Sequence, residues 1–315
     1  QHQESPMVNP IDFTDRVAII TGAGGGLGRA YALALAERGA KVVVNDLGGD
    51  VHGEGGTTSP AQRVVDEIVA TGGEAMVDGN DITDEAAVDA LVSSVIDKWG
   101  RIDILMNNAG ILRDKSFAKM DNDDFRKVLE VHLMGSVNCT KAVWPHMAEA
   151  GYGRILMTTS SSGIYGNFGQ SNYAAAKSGL VGLMNVLAIE GAKKNIKVNS
   201  IAPTAATRMT EDLLPQRVLD IMGPETIAPG ALFMVSEDAP TKTILGAGAG
   251  VFAVSQMVES RGVYLPDNAR TPEVVAERWN EIADVTDANP LESAFEQTSK
   301  YAALAARELG LHLES

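Results

Sequence analysis

Residues 160–179, SSSGIYGNFGQSNYAAAKSG, hold five serine hydroxyls, two phenols and an ammonium group within twenty positions. Together such groups can move a proton to or from a substrate hydroxyl; they can equally be polar surface around a glycine-rich loop. Tyr173 and Lys177 stand four apart, so on a helix they share one face. An ammonium beside a phenol favours the phenolate and draws its pKa from about 10 towards working pH. That pairing on its own is common by chance. Tyr165 has Gly169 at the matching position, so loop packing or a pocket wall suits it better. Ser160 lies thirteen residues before Tyr173, at the end of an apolar run. A hydroxyl there can orient a substrate carbonyl or hydroxyl beside the tyrosine.

A second cluster is TGAGGGLG at 21–28, with Gly22, Gly26, Leu27 and Gly28 in the phasing G-x3-G-x-G. Glycines between a strand and a helix let the backbone approach a pyrophosphate, and the helix start supplies N–H groups and positive dipole. A flexible turn is the plain alternative. Asp46 ends the next strand, about 20 residues on. A carboxylate there accepts from ribose hydroxyls and repels a 2′-phosphate. Leu47, Gly48 and Gly49 follow it rather than Arg or Lys, which favours NAD over NADP.

These groups need a scaffold to hold them. RVAIIT, KVVVND, EAMVD, RIDILMN, GRILMTTS and KVNSIAP read as strands. Between them lie LGRAYALALAERG, a helix closed by Gly39, one opened by Ser59-Pro60, and a third over 83–99. Helical spacing over 121–143 ends near Pro145, and a long helix spans 172–193. The alternation predicts an α/β, doubly wound parallel sheet of the Rossmann-like kind, with ligands beyond the carboxyl ends of the strands. Gly22–Gly28, Asp46, Asp81, Asn107–Gly110, Ser160 and Pro203 all fall at those ends. After residue 256 two amphipathic segments, 272–283 and 290–309, read as a C-terminal helical extension. The expected division is therefore a domain over 7–256 and an extension over 257–315. Met7 reads as the natural start, with residues 1–6 as a scar.

The formal net charge of −15 argues against a nucleic-acid partner. The five histidines form no HxxxH or CxxC pattern, so no metal is expected. No run of about 18 apolar residues suggests a membrane span. The single cysteine, Cys139, excludes an internal disulfide and suits a reducing compartment.

TGAGGGLG, NNAG at 107–110, Ser160, YAAAK at 173–177 and IAP at 201–203 together resemble the short-chain dehydrogenase/reductases over about 13–256. The resemblance implies Tyr173 as general acid/base, Lys177 lowering its pKa and binding the nicotinamide ribose, and Ser160 positioning the substrate. It also implies Asn107 and Asn108 holding the fourth strand and the cofactor, and Asp81 with Ile82 against adenine. Pro203 would line the cofactor; Thr204 replaces a common glycine, leaving Thr207 for the carboxamide contact. His132 stands where that superfamily usually has Asn, and both a structural and a proton-relay role are open.

VVVNDLGGD, AGILRDKSF, VHLMGS, GIYGNFGQ, NVLAIEG and IAPTAATRMT are similar to the dehydrogenase part of the type 2 peroxisomal multifunctional enzymes, which also carry the name 17β-hydroxysteroid dehydrogenase type 4. This implies oxidation of a (3R)-3-hydroxyacyl-CoA to a 3-oxoacyl-CoA with NAD, in a homodimer or homotetramer. A free steroid is the alternative substrate. NADPH-dependent reduction of a 3-oxoacyl carrier protein is disfavoured by Asp46. A catalytically silent dinucleotide-binding partner subunit runs against intact Ser160, Tyr173 and Lys177. Arg113, Lys115 and Arg208 are placed to meet CoA phosphates or to be solvated surface charge. The chain lacks the hydratase and sterol-carrier parts and an SKL-like ending, so a stand-alone cytoplasmic bacterial enzyme is expected.

Overall fold

Runs too apolar for a half-solvated sheet form the centre of the fold. Val17–Thr21 (β1), Ile104–Asn107 (β4) and Gly153–Thr158 (β5) are buried at every residue. Lys41–Asn45 (β2), Ala75–Asp78 (β3) and Ile196–Pro203 (β6) extend the layer, followed by Ile244–Gly248 (β7) and Val251–Ser255 (β8). The strand order is β3-β2-β1-β4-β5-β6-β7-β8, and every pairing from β3 across to β7 is parallel. Because β1 pairs with both β2 and β4, the order reverses there, which opens a crevice at the carboxyl ends. The computed structural model describes residues 9–49, 52–55, 59–204 and 215–311.

Helices cover both faces: Gly26–Glu37 (α1), Ser59–Ala70 (α2), Glu85–Trp99 (α3), Asn122–Leu129 (α4), Gly135–Ala150 (α5), Ser161–Tyr165 (α6) and Ser171–Gly191 (α7). Short helices Gln216–Leu219 (α8) and Ala228–Phe233 (α9) follow β6. Asp84 caps α3 by accepting from the Ala86 and Ala87 amides, and Gly100 closes it in the left-handed region. One core layer packs α1 and α2 onto β1 and β2, while another packs α3, α5 and α7 onto the opposite face.

Several elements differ from the sequence reading. The helix expected to end near Pro145 runs through it to Ala150. Proline removes one backbone bond, but Val143 and Met147 are both fully buried around it and hold the helix in place. A one-turn π-helix, Glu130–Met134, joins α4 to α5. β7 and β8 were not anticipated; Ala249 and Gly250, both with positive φ, form the two-residue turn between them.

The chain divides into two compact units, Gln1–Val254 and Ser255–Ser315. In the second, Val258–Glu259 (β9) pairs antiparallel with Asn289–Pro290 (β10). Pro272–Glu277 (α10) and Trp279–Ile282 (α11) replace the single helix expected over 272–283, with Arg278 at the break. Ala294–Leu309 (α12) starts later than the sequence suggests, capped by Ser293, because Asn289 and Pro290 are taken by the strand.

Candidate active site

At the carboxyl end of β5 the chain turns through Thr159 into α6, and Ser160 is the N-cap. Its Oγ accepts from the Ser162 amide at 3.2 Å. Lys177 lies one turn beyond Tyr173 on α7, and the Ser160 hydroxyl stands near enough to the Tyr173 phenol to favour its phenolate. The α6 turn sits directly on α7: a Cβ added to Gly163 would fall 2.7 Å from the Lys177 Cβ and 3.0 Å from its carbonyl carbon. Thr159 Oγ1 reinforces this seam, donating to the Lys177 carbonyl at 2.8 Å.

The electrostatics differ from the simple pair read off the sequence. Burial raises the Tyr173 phenol above its ordinary pKa, and the Ser160 hydroxyl pulls the other way. Lys177 is buried, its Nζ donates to the Thr158 carbonyl at 2.6 Å, and it lies 5.4 Å from the Tyr173 ring centroid. Burial lowers its pKa from the ordinary 10.5 to about 7. A buried amine one turn from a phenol, with a serine hydroxyl favouring the phenolate, suits general acid–base work.

The other end of the crevice fits a dinucleotide. α1 begins at Gly26 behind Gly25, with no side-chain cap, so its first amides remain available to an anion. Nothing lies within 4 Å of a Cβ placed on Gly25 or Gly26. A Cβ on Gly28 would fall 2.4 Å from the Gly22 carbonyl oxygen and 2.6 Å from Asn108 Nδ2. Asn108 Nδ2 donates to the Thr21 and Gly22 carbonyls at 3.0 and 3.1 Å, tying the end of β4 to the glycine turn. Leu27 packs on the core.

Asp46 accepts from the Gly24 amide at 2.8 Å and the Gly48 amide at 2.7 Å, which puts its carboxylate against the same turn. Asn107 Nδ2 donates to Thr140 Oγ1 at 3.1 Å, while its Oδ1 is buried without a partner among the described residues. Asp81 accepts from Thr83, and the Ile82 carbonyl accepts from Asn138 at 3.0 Å. Pro203 ends β6 on the same side. Thr207 and Arg208 lie outside the described residues.

Two groups were not legible from the sequence. The Thr158 carbonyl that holds Lys177 is backbone, and carries no sequence signal. Gln170, just ahead of α7, is a hub: its Oε1 accepts from Ser162 Oγ at 2.7 Å and Asn167 Nδ2 at 3.0 Å, and its Nε2 donates to Asp114 at 2.8 Å. A glutamine at a helix start was the available hint. Arg113 and Lys115, read as CoA contacts or surface charge, both pair with Asp124, at 2.8 and 2.9 Å. Their bonds hold its carboxyl below the usual range.

Residues 16–217 match the short chain dehydrogenase family. The chain belongs to that family. This dehydrogenase is 46% identical over 295 residues to peroxisomal multifunctional enzyme type 2 of Mus musculus, a match covering 93% of this chain and 40% of the mouse protein. The full-length structure of peroxisomal multifunctional enzyme type 2 from Drosophila melanogaster matches at a TM-score of 0.79 and 39% identity, covering 94% of this chain and 50% of that one. A 7α-hydroxysteroid dehydrogenase solved with NADH and 7-oxo glycochenodeoxycholic acid matches at 0.68 and 34% identity, covering 76% and 95%. The chain thus spans half or less of these two multifunctional enzymes. As a short-chain dehydrogenase it is an oxidoreductase working with a nicotinamide dinucleotide.

Proposed function

We propose that this dehydrogenase oxidises a 3-hydroxyacyl-CoA to the 3-oxoacyl-CoA with NAD, with Tyr173 as general base. The observation that carries the reading is buried Lys177 at 5.4 Å from the Tyr173 ring centroid, with the Ser160 hydroxyl favouring the phenolate, in a chain so similar to multifunctional enzymes of type 2. Ser160 holds the substrate hydroxyl, and Tyr173 removes the proton from its oxygen as the hydride leaves the carbon that bears it. Lys177, with a pKa near 7, passes that proton onward. The bound nicotinamide supplies the hydride acceptor and a positive charge that offsets the burial penalty on the phenolate. Asp46, against the glycine turn, favours ribose hydroxyls over a 2′-phosphate.

The acyl group is apolar, and Phe117, Tyr165 and Phe168 stand exposed on the loops after β4 and β5. The same aromatic groups suit a free steroid as a second reading, supported by the steroid-bound relative. A homodimer or homotetramer fits the cleft of about 260 Å³ between α5 and α7, lined by Val137, Trp144, Leu183 and Leu187, with Val186 and Ile189 exposed on α7.

The test is a panel of straight-chain and steroid-derived hydroxyacyl-CoAs and free hydroxysteroids, assayed with NAD and NADP. Turnover of the thioesters with NAD is the expected result. Oxidation of free steroids alone would give the second reading. Tyr173→Phe should abolish hydride transfer while NAD still binds; unchanged turnover would remove Tyr173 as the base.

A further inference from the structure

His132 is 3% exposed and sits in the π-helical turn that joins α4 to α5. Its Nε2 lies 3.0 Å from the Ile111 amide nitrogen and 2.7 Å from the Ile111 carbonyl oxygen. In either tautomer it therefore grips the main chain just past the Asn107–Gly110 turn. Its Nδ1 is buried with no hydrogen-bond partner among the described residues. A ring nitrogen left unpaired away from water costs more than a hydrocarbon side chain in the same space. Packing alone does not call for a histidine here.

The ring has a second neighbour. It meets the Tyr173 ring edge-on, with centroids 5.2 Å apart and planes at 89°, the T-shaped arrangement aromatic pairs prefer. Room for the ring is provided by Gly110, where an added Cβ would fall 2.1 Å from His132 Cε1. The main chain carrying His132 is also fixed, since its carbonyl accepts from Ser136 Oγ at 2.7 Å. One side chain thus bridges the segment after β4 and the phenol that faces Ser160.

We propose that His132 is a positioning residue for Tyr173: anchored to Ile111 through Nε2, it sets the phenol ring's approach to Ser160 through the edge contact. This rests on the reading of Tyr173 as the base. A loosened base is expected to lose rate rather than affinity, because the geometry of proton removal suffers while the cofactor's own contacts stay intact.

The experiment measures kcat, KM and the NAD dissociation constant for His132→Leu, His132→Phe, His132→Gln and Gly110→Ala. His132→Leu should lower kcat roughly tenfold to a hundredfold, with NAD binding changed by no more than about threefold. His132→Phe keeps a ring edge and should recover part of that loss; His132→Gln keeps a donor for Ile111 but no ring and should not. Gly110→Ala displaces the ring, so its loss should be strongly non-additive with that of His132→Leu. A folded His132→Leu with kcat within about twofold of the parent, or a loss confined to NAD binding, would overturn the proposal. If His132→Leu does not fold, the order of Phe above Gln decides it, and the reverse order overturns it. A silent Tyr173→Phe would remove the base assignment itself; an inactive Tyr173→Phe beside a fully active His132→Leu removes the positioning role alone.

Discussion

At the amino ends of the strands, Asp103 accepts from Arg16 at 3.1 Å, from Arg101 and from the Val17 amide at 2.9 Å. Arg154, fully buried on β5, donates to the carbonyls of Ser236, Gly153, Asn195 and Glu237. Arg16 and Arg154 both stack on Tyr152, at 3.7 and 4.1 Å. At the carboxyl ends the account is left open. Asn107 Oδ1 and His132 Nδ1 are buried without partners among the described residues, the start of α1 has no side-chain cap, and Lys177 is held by one backbone carbonyl. Both ends bury polar groups, but one satisfies them within the protein and the other keeps capacity in reserve. A fully paired cluster serves stability; unspent donors and acceptors at a crevice are what a ligand can complete.

Removing the charge at the open end should cost the most activity. Lys177→Met should lower kcat by about 10²–10⁴-fold while the protein remains folded, checked by steady-state rates alongside thermal melting. Better folding of this variant is also expected, since the buried amine is gone. At the paired end the reverse should hold. Asp103→Ala strands Arg16 and Arg101, both partly exposed, and should cost about 2–3 kcal/mol of stability with kcat unaltered in the folded fraction. Denaturant unfolding beside active-site titration separates the two; a kcat loss there would break the contrast.

Asp46→Ser should narrow the preference for NAD over NADP by roughly tenfold, read as the ratio of kcat/KM values. A further effect concerns acid stability and leaves activity at neutral pH untouched. Burial and the charge of Lys177 lower the His132 pKa from 6.5 to about 3. Between those values the unfolded chain binds the proton and the folded one does not, so stability falls as pH falls from 6.5 towards 3. The slope from this residue is at most about 1.4 kcal/mol per pH unit. Comparing His132→Gln with the parent across that range should show the variant losing stability less steeply.

The sheet was legible because β1, β2, β4 and β5 are short apolar runs ending in chemistry-bearing residues, and such runs need burial on both faces. ILGAG was not read as a strand: glycine and alanine carry little β preference, and β7 exists through its pairing with β6. The π-turn at 130–134 leaves no mark in apolar spacing either. Within the site, Ser160, Tyr173 and Lys177 were found by type and spacing, and the structure brings them together. Their electrostatics were misjudged, because the i,i+4 rule speaks for exposed helix faces and Lys177 is buried. Asp124 was invisible as the partner of Arg113 and Lys115, since that contact depends on how a loop folds back.

Gly163 contributes no functional group, yet it sets the spacing on which the chemistry rests. With its missing Cβ, α6, which Ser160 caps, lies on the backbone of α7 at Lys177, so a side chain there would push the two helices apart. Exposed side chains on the segments after β4 and β5, such as Phe117 and Phe168, carry no such packing constraint. The methyl-sized gap under α6 does. Diversification of such an enzyme is therefore channelled: new substrates can be reached by redrawing those exposed segments, while the hydrogen atom at residue 163 acts as a gauge block for the reaction.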